Sequence, residues 1–221
     1  MQKNFVGEKN MKDIKKIISN KNLSYQLPWF YNNKLALRCE LGQGDEQEEF
    51  IMSAEKRALK IFDVLFDGNV DLVFFDHEIF DYSRDWGDGD FLSLASMDFT
   101  YEKNISKLMH EFQDFPHQTI ENIKFDPRFT EDGVIKINRC IAEISGKQVD
   151  YKKYVKSIIN AKLFPIHFVS YKNQCIYSIY DSRGLDIVFF SKEKYREFFV
   201  KLNEFLFEYD LPQMQKTFDK K

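Results

Sequence analysis

Alternating apolar and polar residues along the chain predict several β-strands that have one covered face. Leu35, Leu37 and Cys39 alternate with polar neighbours and precede the turn residues Gly42 and Gly44. Side chains of a strand point alternately to its two faces, so this alternation is typical of a strand at the boundary of a core. The same alternation, or a short apolar run, predicts further strands at 70–75, 134–144, 166–171, 174–180 and 185–190.

Apolar residues that recur every three or four positions predict the helices that separate these strands. The stretch 45–66 has the most regular helical pattern, and Gly68 follows it as a stop signal. A second apolar stripe runs from 195 to 209, and we expect this helix to end at Leu211-Pro212. Shorter helical patterns cover 11–19, 101–112 and 150–162.

The order of these elements predicts an α+β fold in a single domain over residues 1–221. Such a fold would be a mainly antiparallel sheet with helices packed on one face. The strand patterns cluster in hairpins toward the C-terminal end, and no repeat or linker interrupts the sequence. Residues 166–211 are predicted to form a hairpin–helix unit within this domain.

Composition and charge narrow the class of protein. Of the 221 residues, 43% are hydrophobic and 30% are charged, as is typical of a soluble globular protein. The net charge of −3 argues against a general nucleic-acid binder, which would carry a basic excess. No segment has the apolar length of a membrane span or of a signal peptide. The three cysteines are far apart in the sequence and form no CxxC motif: Cys39, Cys140 and Cys175. We therefore expect reduced thiols, as in a cytoplasmic protein.

The stretch IYSIYDSRGLDIVFF, residues 176–190, places a polar turn between two apolar strands. Asp181 suits the first position of such a turn, and Gly184 suits a left-handed closing position. Asp186 returns an acid to the second strand, where a buried carboxylate needs a partner. We expect that partner to be Arg183 or a neighbouring backbone group. Together these four residues are a candidate structural motif.

Residues 180–210 resemble the C-terminal signature of the bacterial family called domain of unknown function 3885. The family pattern is Tyr-Asp-Asp-Arg-Gly-Leu-Asp, a short strand, and an amphipathic helix that ends in an aromatic residue and Asp. Tyr180, Asp181, Arg183, Gly184, Leu185 and Asp186 match this pattern, whereas Ser182 replaces its second Asp. FYNNKLALRCELG and RALKIFDVLF are similar to the family's N-terminal strand and following helix. The resemblance implies no activity, and it offers only an analogy with small bacterial immunity proteins.

Polar residues that could carry catalysis do not form a recognised motif. Asp76-His77-Glu78 places three ligand types side by side, but neighbouring side chains of a strand point to opposite faces. No two histidines have the H-x-x-x-H spacing that places zinc ligands on one face of a helix. The sequence also has no glycine-rich phosphate-binding loop and no G-x-S-x-G nucleophile motif. We therefore expect no metal site and no cofactor. The alternative is a hydrolase or nuclease-like enzyme that uses Asp76, His77 and Glu78 or the charged residues of the hairpin.

One segment departs from the even mixing of charges elsewhere in the chain. Residues 67–90 contain eight acids and a single base, Arg84, with aromatic residues among the acids. This combination suits capture of a basic protein surface, because charge accelerates association and rings supply binding energy. A solvated loop without a partner is the competing interpretation. The candidate partner-binding residues are Asp81, Tyr82, Asp85, Trp86, Asp88 and Asp90.

The leading hypothesis from the sequence is a cytoplasmic binding protein of immunity or regulatory type, whose partner carries a basic surface. An enzyme is the competing hypothesis, and a structural subunit with a large apolar surface patch is the third. Convergence of Asp76 or His77 with Asp186 or His167 on a pocket would favour an enzyme. A closed hairpin in which Arg183 pairs with Asp186, beside a protruding acidic loop, would favour binding.

Overall fold

The computed structural model of the protein describes residues 11–20, 29–81, 103–125, 130, 133–144, 150–160 and 166–219. The helices are α1 (Met11–Ile18), α2 (Trp29–Asn32), α3 (Gln47–Phe66), α4 (103–112), α5 (Tyr151–Ile159), α6 (Lys192–Lys201) and α7 (Leu211–Asp219). Two 3-10 turns span Asn203–Phe205 and Glu208–Asp210. The strands are β1 (Ala36–Glu40), β2 (Leu72–Phe80), β3 (His117–Ile120), β4 (Val134–Glu143), β5 (His167–Ser170), β6 (Cys175–Asp181) and β7 (Gly184–Phe189).

The seven strands form one sheet in the order β1-β7-β6-β5-β2-β4-β3. Every neighbouring pair is antiparallel. β5, β6 and β7 follow one another as hairpins, and β2 and β4 form the longest pair, from Leu72 opposite Glu143 to Phe80 opposite Val134. The predicted α+β class and the mainly antiparallel sheet are confirmed.

Helix α3 covers one face of the sheet, which we call the α3 face. The ring of Phe62 lies 5.2 Å from that of Phe168 and 5.3 Å from that of Tyr177. Tyr177 Oη donates a hydrogen bond to the backbone oxygen of Ala58 at 2.8 Å, which fixes the helix on the strands. Helix α5 packs beside α3, where Tyr151 stacks on Phe62 at 4.2 Å.

The short helices α1 and α2 lie on the opposite face, which we call the α2 face, so the expectation that helices pack on only one face of the sheet is wrong. The Trp29 ring of α2 lies 5.6 Å from the ring of His167 and 6.2 Å from that of Phe74. At the C-terminal end of α1, Arg139 Nη1 donates to the backbone oxygen of Ile18 at 3.3 Å. A cation at this end of a helix complements the helix dipole.

The C-terminal helical segment differs from its prediction. The predicted single helix breaks after α6, and Leu211-Pro212 begins α7 instead of ending a helix. Proline is tolerated in the first turn of a helix because its missing N–H is not needed there. Between the two helices the chain follows the edge of β1, where Phe207 N donates to Arg38 O at 2.9 Å. The break therefore covers the edge of the sheet.

Candidate functional site

A row of residues crosses the sheet on the α2 face, one residue from each strand. Residues directly opposite each other in antiparallel strands share a face and lie about 5 Å apart. The row begins with four polar residues and continues with two apolar residues and an amide. From β1 to β3 its members are Arg38, Asp186, Ser178, His167, Phe74, Ile141 and Gln118.

Arg38 binds acids and hydroxyls from four other parts of the fold. Its Nε lies 3.4 Å from Asp186 Oδ1 and 3.2 Å from Tyr180 Oη. Its Nη1 lies 3.4 Å from Asp210 Oδ2, and Tyr31 Oη donates to the same carboxylate at 3.3 Å. We call these five residues the Arg38 cluster. The cluster joins β1, β6, β7, α2 and the turn Glu208–Asp210.

Aromatic rings enclose the guanidinium of Arg38. Its central carbon lies 4.9 Å from the ring centre of Tyr31, 5.3 Å from that of Tyr180 and 5.8 Å from that of Phe30. A planar guanidinium is attracted by ring faces at these distances. Burial and the charge of Asp186 raise the pKa of Tyr180 to about 12, so its hydroxyl stays neutral at physiological pH.

Asp186 is the most buried acid of the Arg38 cluster. Its residue is fully buried, and its Oδ2 accepts the backbone N–H of Phe30 at 2.9 Å. Burial raises the pKa of Asp186 to about 6, and the nearby charge of Asp210 acts in the same direction, against the effect of Arg38. Two carboxylates thus share one guanidinium, and the pKa of Asp186 lies above its ordinary value of 3.8.

The hairpin motif divides between the surface and the interior. Asp181 accepts hydrogen bonds from Arg183 N and Arg183 Nε, both at 2.8 Å, and the Arg183 side chain is 78% exposed. The expected pairing of Arg183 with Asp186 is therefore wrong. Instead, Asp186 accepts the backbone N–H of Phe30, which agrees with the second option, and it pairs with Arg38, which neither option named.

Gly184 serves this hairpin through its lack of a side chain. It is absent from the residues with positive φ, so the expected left-handed conformation is wrong. A Cβ at this position would lie 2.2 Å from Tyr180 Oη and 3.0 Å from the backbone oxygen of Cys39. The glycine therefore leaves room for the Tyr180 ring to cross β7 and reach Arg38.

His167 and Ser178 form a hydrogen-bonded pair within the row. His167 Nδ1 and Ser178 Oγ are 2.9 Å apart, and both residues are buried. Burial, with a contribution from Arg139, lowers the pKa of His167 to about 3, so its imidazole is neutral and a weak base. Its Nε2 makes no hydrogen bond within the described residues. Among the residues that the structure describes, no acid orients this imidazole as in a catalytic triad.

Asp76 has a structural partner. Arg139 Nε and Nη2 donate to its two carboxylate oxygens at 2.7 Å each, and both side chains are buried. His77 follows in β2 and points to the α3 face, so the structure does not bring Asp76 and His77 together. The described ranges contain no group of three His, Cys, Asp or Glu residues that could hold a metal ion.

The cysteines lie in the packed interior. Burial raises the pKa of the Cys39 and Cys175 thiols well above the ordinary value, so both stay protonated. Cys140 is 8% exposed and lines a cavity of about 10 Å³ with Thr119, Met109 and other residues under α4. That cavity has room for about one water molecule.

The acidic aromatic segment is described only at its start. Asp81 follows the last residue of β2 and is partly buried, and its N–H donates to Gly133 O at 2.9 Å. The other candidate partner-binding residues lie outside the described residues: Tyr82, Asp85, Trp86, Asp88 and Asp90.

Sequence reasoning missed Arg38 and Asp210 as members of the site. Arg38 falls on the polar side of the β1 alternation, which predicts a solvent-facing residue. The sequence did contain a signal for this site, because Asp186 and Asp210 both lie among apolar residues. A carboxylate buried there needs a cation nearby. Only the tertiary structure shows that one arginine serves both.

Comparison with known proteins gives a family but no characterised relative. A family described as Domain of unknown function (DUF3885) matches residues 12–210. The chain has no significant match among curated proteins or solved structures. Across the described residues, the helices fall short of the apolar length that a bilayer crossing requires.

Proposed function

We propose that this chain, which belongs to the family Domain of unknown function (DUF3885), is a cytoplasmic protein-binding module. Its role is of immunity or regulatory type, and its partner carries a basic surface. The partner docks on the acidic aromatic segment that follows β2. This segment combines charge, which accelerates association, with rings that supply binding energy.

The observation that carries the proposal is the way in which the segment leaves the sheet. β2 stays paired with β4 up to Phe80 opposite Val134, and Asp81 N then donates to Gly133 O at 2.9 Å. Residues 81–90 continue from this hydrogen-bonded end with four acids, one base and two aromatic residues. A dense acidic sequence therefore begins at a fixed point of the fold.

Two of the four acids before Asp81, namely Asp71 and Asp76, serve the fold, so we place the interface on residues 81–90. Asp71 Oδ2 accepts the backbone N–H of Tyr171 at 2.7 Å. Asp76 forms the buried ion pair with Arg139. The Asp76 carboxylate, neutralised by Arg139 inside the protein, does not attract a basic partner, so we assign the attraction to the acids of 81–90.

The interior polar groups support a binding role over the enzymatic alternative. His167 is a neutral, weak base in contact with Ser178, and Asp186 holds α2 on the sheet. These groups stabilise contacts between elements, and none of them faces the cavity under α4.

The test compares two triple variants with the unmodified protein in an affinity capture from the organism that encodes it. The first variant carries Asp85→Ala, Trp86→Ala and Asp88→Ala. The control carries Asp45→Ala, Glu48→Ala and Met52→Ala, which remove two acids and one apolar side chain that are exposed just before α3 and in its first turns. We expect a basic protein to be captured by the unmodified chain and the control and lost from the first variant. Calorimetric titration with the purified partner should then show at least about a tenfold loss of affinity. Equal binding to all three proteins would exclude segment 81–90 as the docking site.

A further inference from the structure

Two tyrosines have largely exposed side chains: Tyr31 of the Arg38 cluster, and Tyr209, which precedes Asp210 of the same cluster. Tyr31 is 51% exposed and Tyr209 is 82% exposed, although both are large rings. Asp210 connects them, because Tyr31 Oη donates to its carboxylate and Tyr209 precedes it in the same 3-10 turn. The exposed acid Glu208 belongs to this turn as well. We call Tyr31, Glu208 and Tyr209 the tyrosine surface.

The backbone under the tyrosine surface is held by hydrogen bonds. Phe30 N donates to Asp186 Oδ2 at 2.9 Å, which fixes α2 beside Tyr31. Phe207 N donates to Arg38 O at 2.9 Å, and Asp210 N donates to Phe207 O at 3.1 Å. Both rings therefore project from backbone tied to β1 and β7. A rigid aromatic residue loses little conformational freedom on binding, which is why tyrosine is common at binding hot spots.

The charges around the tyrosine surface favour a cation. Asp186 and Asp210 face the single guanidinium of Arg38. Glu208 adds an exposed carboxylate to this excess of acid. Tyrosine rings attract a cation over their faces by about 0.5–2 kcal/mol, depending on how far the pair is desolvated.

We propose that the tyrosine surface binds a lysine or arginine side chain of a protein partner, with the cation over the Tyr209 ring and close to Glu208. This surface is distinct from segment 81–90. β1 and β2 are separated by four strand spacings in the sheet order, about 19 Å. The two proposals therefore rest on different residues of the chain.

The test is an NMR titration of the full chain, labelled in its tyrosine rings, with N-acetyl-arginine methylamide. N-acetyl-citrulline methylamide is the matched probe, because it has nearly the same shape without the charge. We expect saturable shifts of the Tyr31 and Tyr209 ring signals with the arginine probe and at least about tenfold weaker binding of the citrulline probe. Tyr209→Ala should abolish the shift at Tyr31, whereas Met52→Ala, another exposed apolar side chain, should leave it unchanged.

The outcomes separate this proposal from the function of the acidic segment. An Asp85→Asn, Asp88→Asn variant should respond to the arginine probe as the unmodified chain does, even if it loses the captured partner. Absence of shifts at both tyrosines, or equal shifts with both probes, would overturn the proposal. Binding that survives in Tyr209→Ala would overturn it as well.

Discussion

Asp186 in β7 accepts a hydrogen bond at 2.9 Å from the backbone N–H of Phe30, a residue 156 positions earlier in the chain. This contact fixes α2 on the sheet, and it requires a carboxylate or an amide oxygen inside the protein. The same carboxylate lies beside Arg38, which also faces Asp210. The most buried part of the family signature is therefore a connection between the N-terminal and C-terminal parts of the chain.

The raised pKa of Asp186 predicts that this residue makes the protein more stable as the pH falls. Its pKa is about 6 in the folded protein and 3.8 in the reference state, so the folded protein binds the proton first. The resulting stability is fully present below the unfolded pKa and is lost as the pH rises through 6. Between pH 7.5 and 4.5, we expect Asp186 to add about 2 kcal/mol to the free energy of unfolding.

Urea unfolding of the unmodified chain and of Asp186→Asn at both pH values measures this effect. The amide keeps an oxygen for Phe30 N–H and does not titrate, so the difference between the two proteins should change by about 2 kcal/mol across this range. Asp181→Asn is the matched control, since that carboxylate lies in the same hairpin outside the buried cluster. Parallel pH profiles for the unmodified chain and Asp186→Asn would contradict the prediction.

His167 should have the opposite pH dependence. Its folded pKa of about 3 lies below the reference value of 6.5, so the unfolded chain binds the proton first. This stability is present above pH 6.5 and is lost as the pH falls. Relative to His167→Gln, we expect the unmodified protein to lose about 2 kcal/mol of unfolding free energy between pH 7.5 and 5. NMR of the imidazole gives an independent check, since the ring should stay neutral in the folded protein throughout this range. If the imidazole of folded His167 titrates near pH 6, the side chain is hydrated and the prediction is wrong.

The buried pair of Arg139 and Asp76 predicts strong coupling between two substitutions. Arg139→Met leaves the Asp76 carboxylate buried without its bidentate partner, which typically costs about 3–5 kcal/mol. The double variant Arg139→Met, Asp76→Leu removes both charges and should be more stable than Arg139→Met alone. Denaturant unfolding of the four proteins in a double-mutant cycle measures the coupling. A double variant that loses the sum of both single effects would indicate that the pair contributes no specific interaction.

Local patterns predicted much of the fold because periodicity reports burial one element at a time. The alternation around Cys39 became β1, and the regular stripe of 45–66 became α3. The break between α6 and α7 was missed because the apolar stripe continues through Leu206 although the backbone turns to pair with β1. Pro212 was interpreted as a stop, but in the first turn of a helix it is also a start.

The candidate site was harder to predict, because its partners are distant in sequence. Periodicity assigned Arg38 to solvent, since nothing local indicates that α2 and the turn Glu208–Asp210 would cover that face of β1. Arg183 is the cation nearest to Asp186 in sequence, so we expected these two residues to pair. In the sheet, Asp186 lies directly opposite Arg38 and pairs with it instead. A buried acid indicates that a partner exists, but only the strand order identifies it.

Gly184 offers the sharpest test of how the signature hairpin is built. If the glycine leaves room for Tyr180, Gly184→Ala should be destabilising through a steric clash, by roughly 1–3 kcal/mol. In a Tyr180→Ala background the ring is absent, so the same substitution should cost clearly less. The remaining cost reflects the approach of the new Cβ to the backbone oxygen of Cys39 at 3.0 Å. Chemical unfolding of the four proteins gives both values.

Gly68→Ala separates this clash from backbone strain. Gly68 has a φ of +76°, and no heavy atom lies within 4 Å of the position that a Cβ would take, so its substitution should cost about 1 kcal/mol from conformation alone. That cost should be the same with and without Tyr180, because nothing at Gly68 depends on the ring. If Gly184→Ala also costs the same in both backgrounds, the Tyr180 ring does not explain the glycine. A smaller cost without the ring would mean that the glycine of the signature serves the contact between Tyr180 and Arg38.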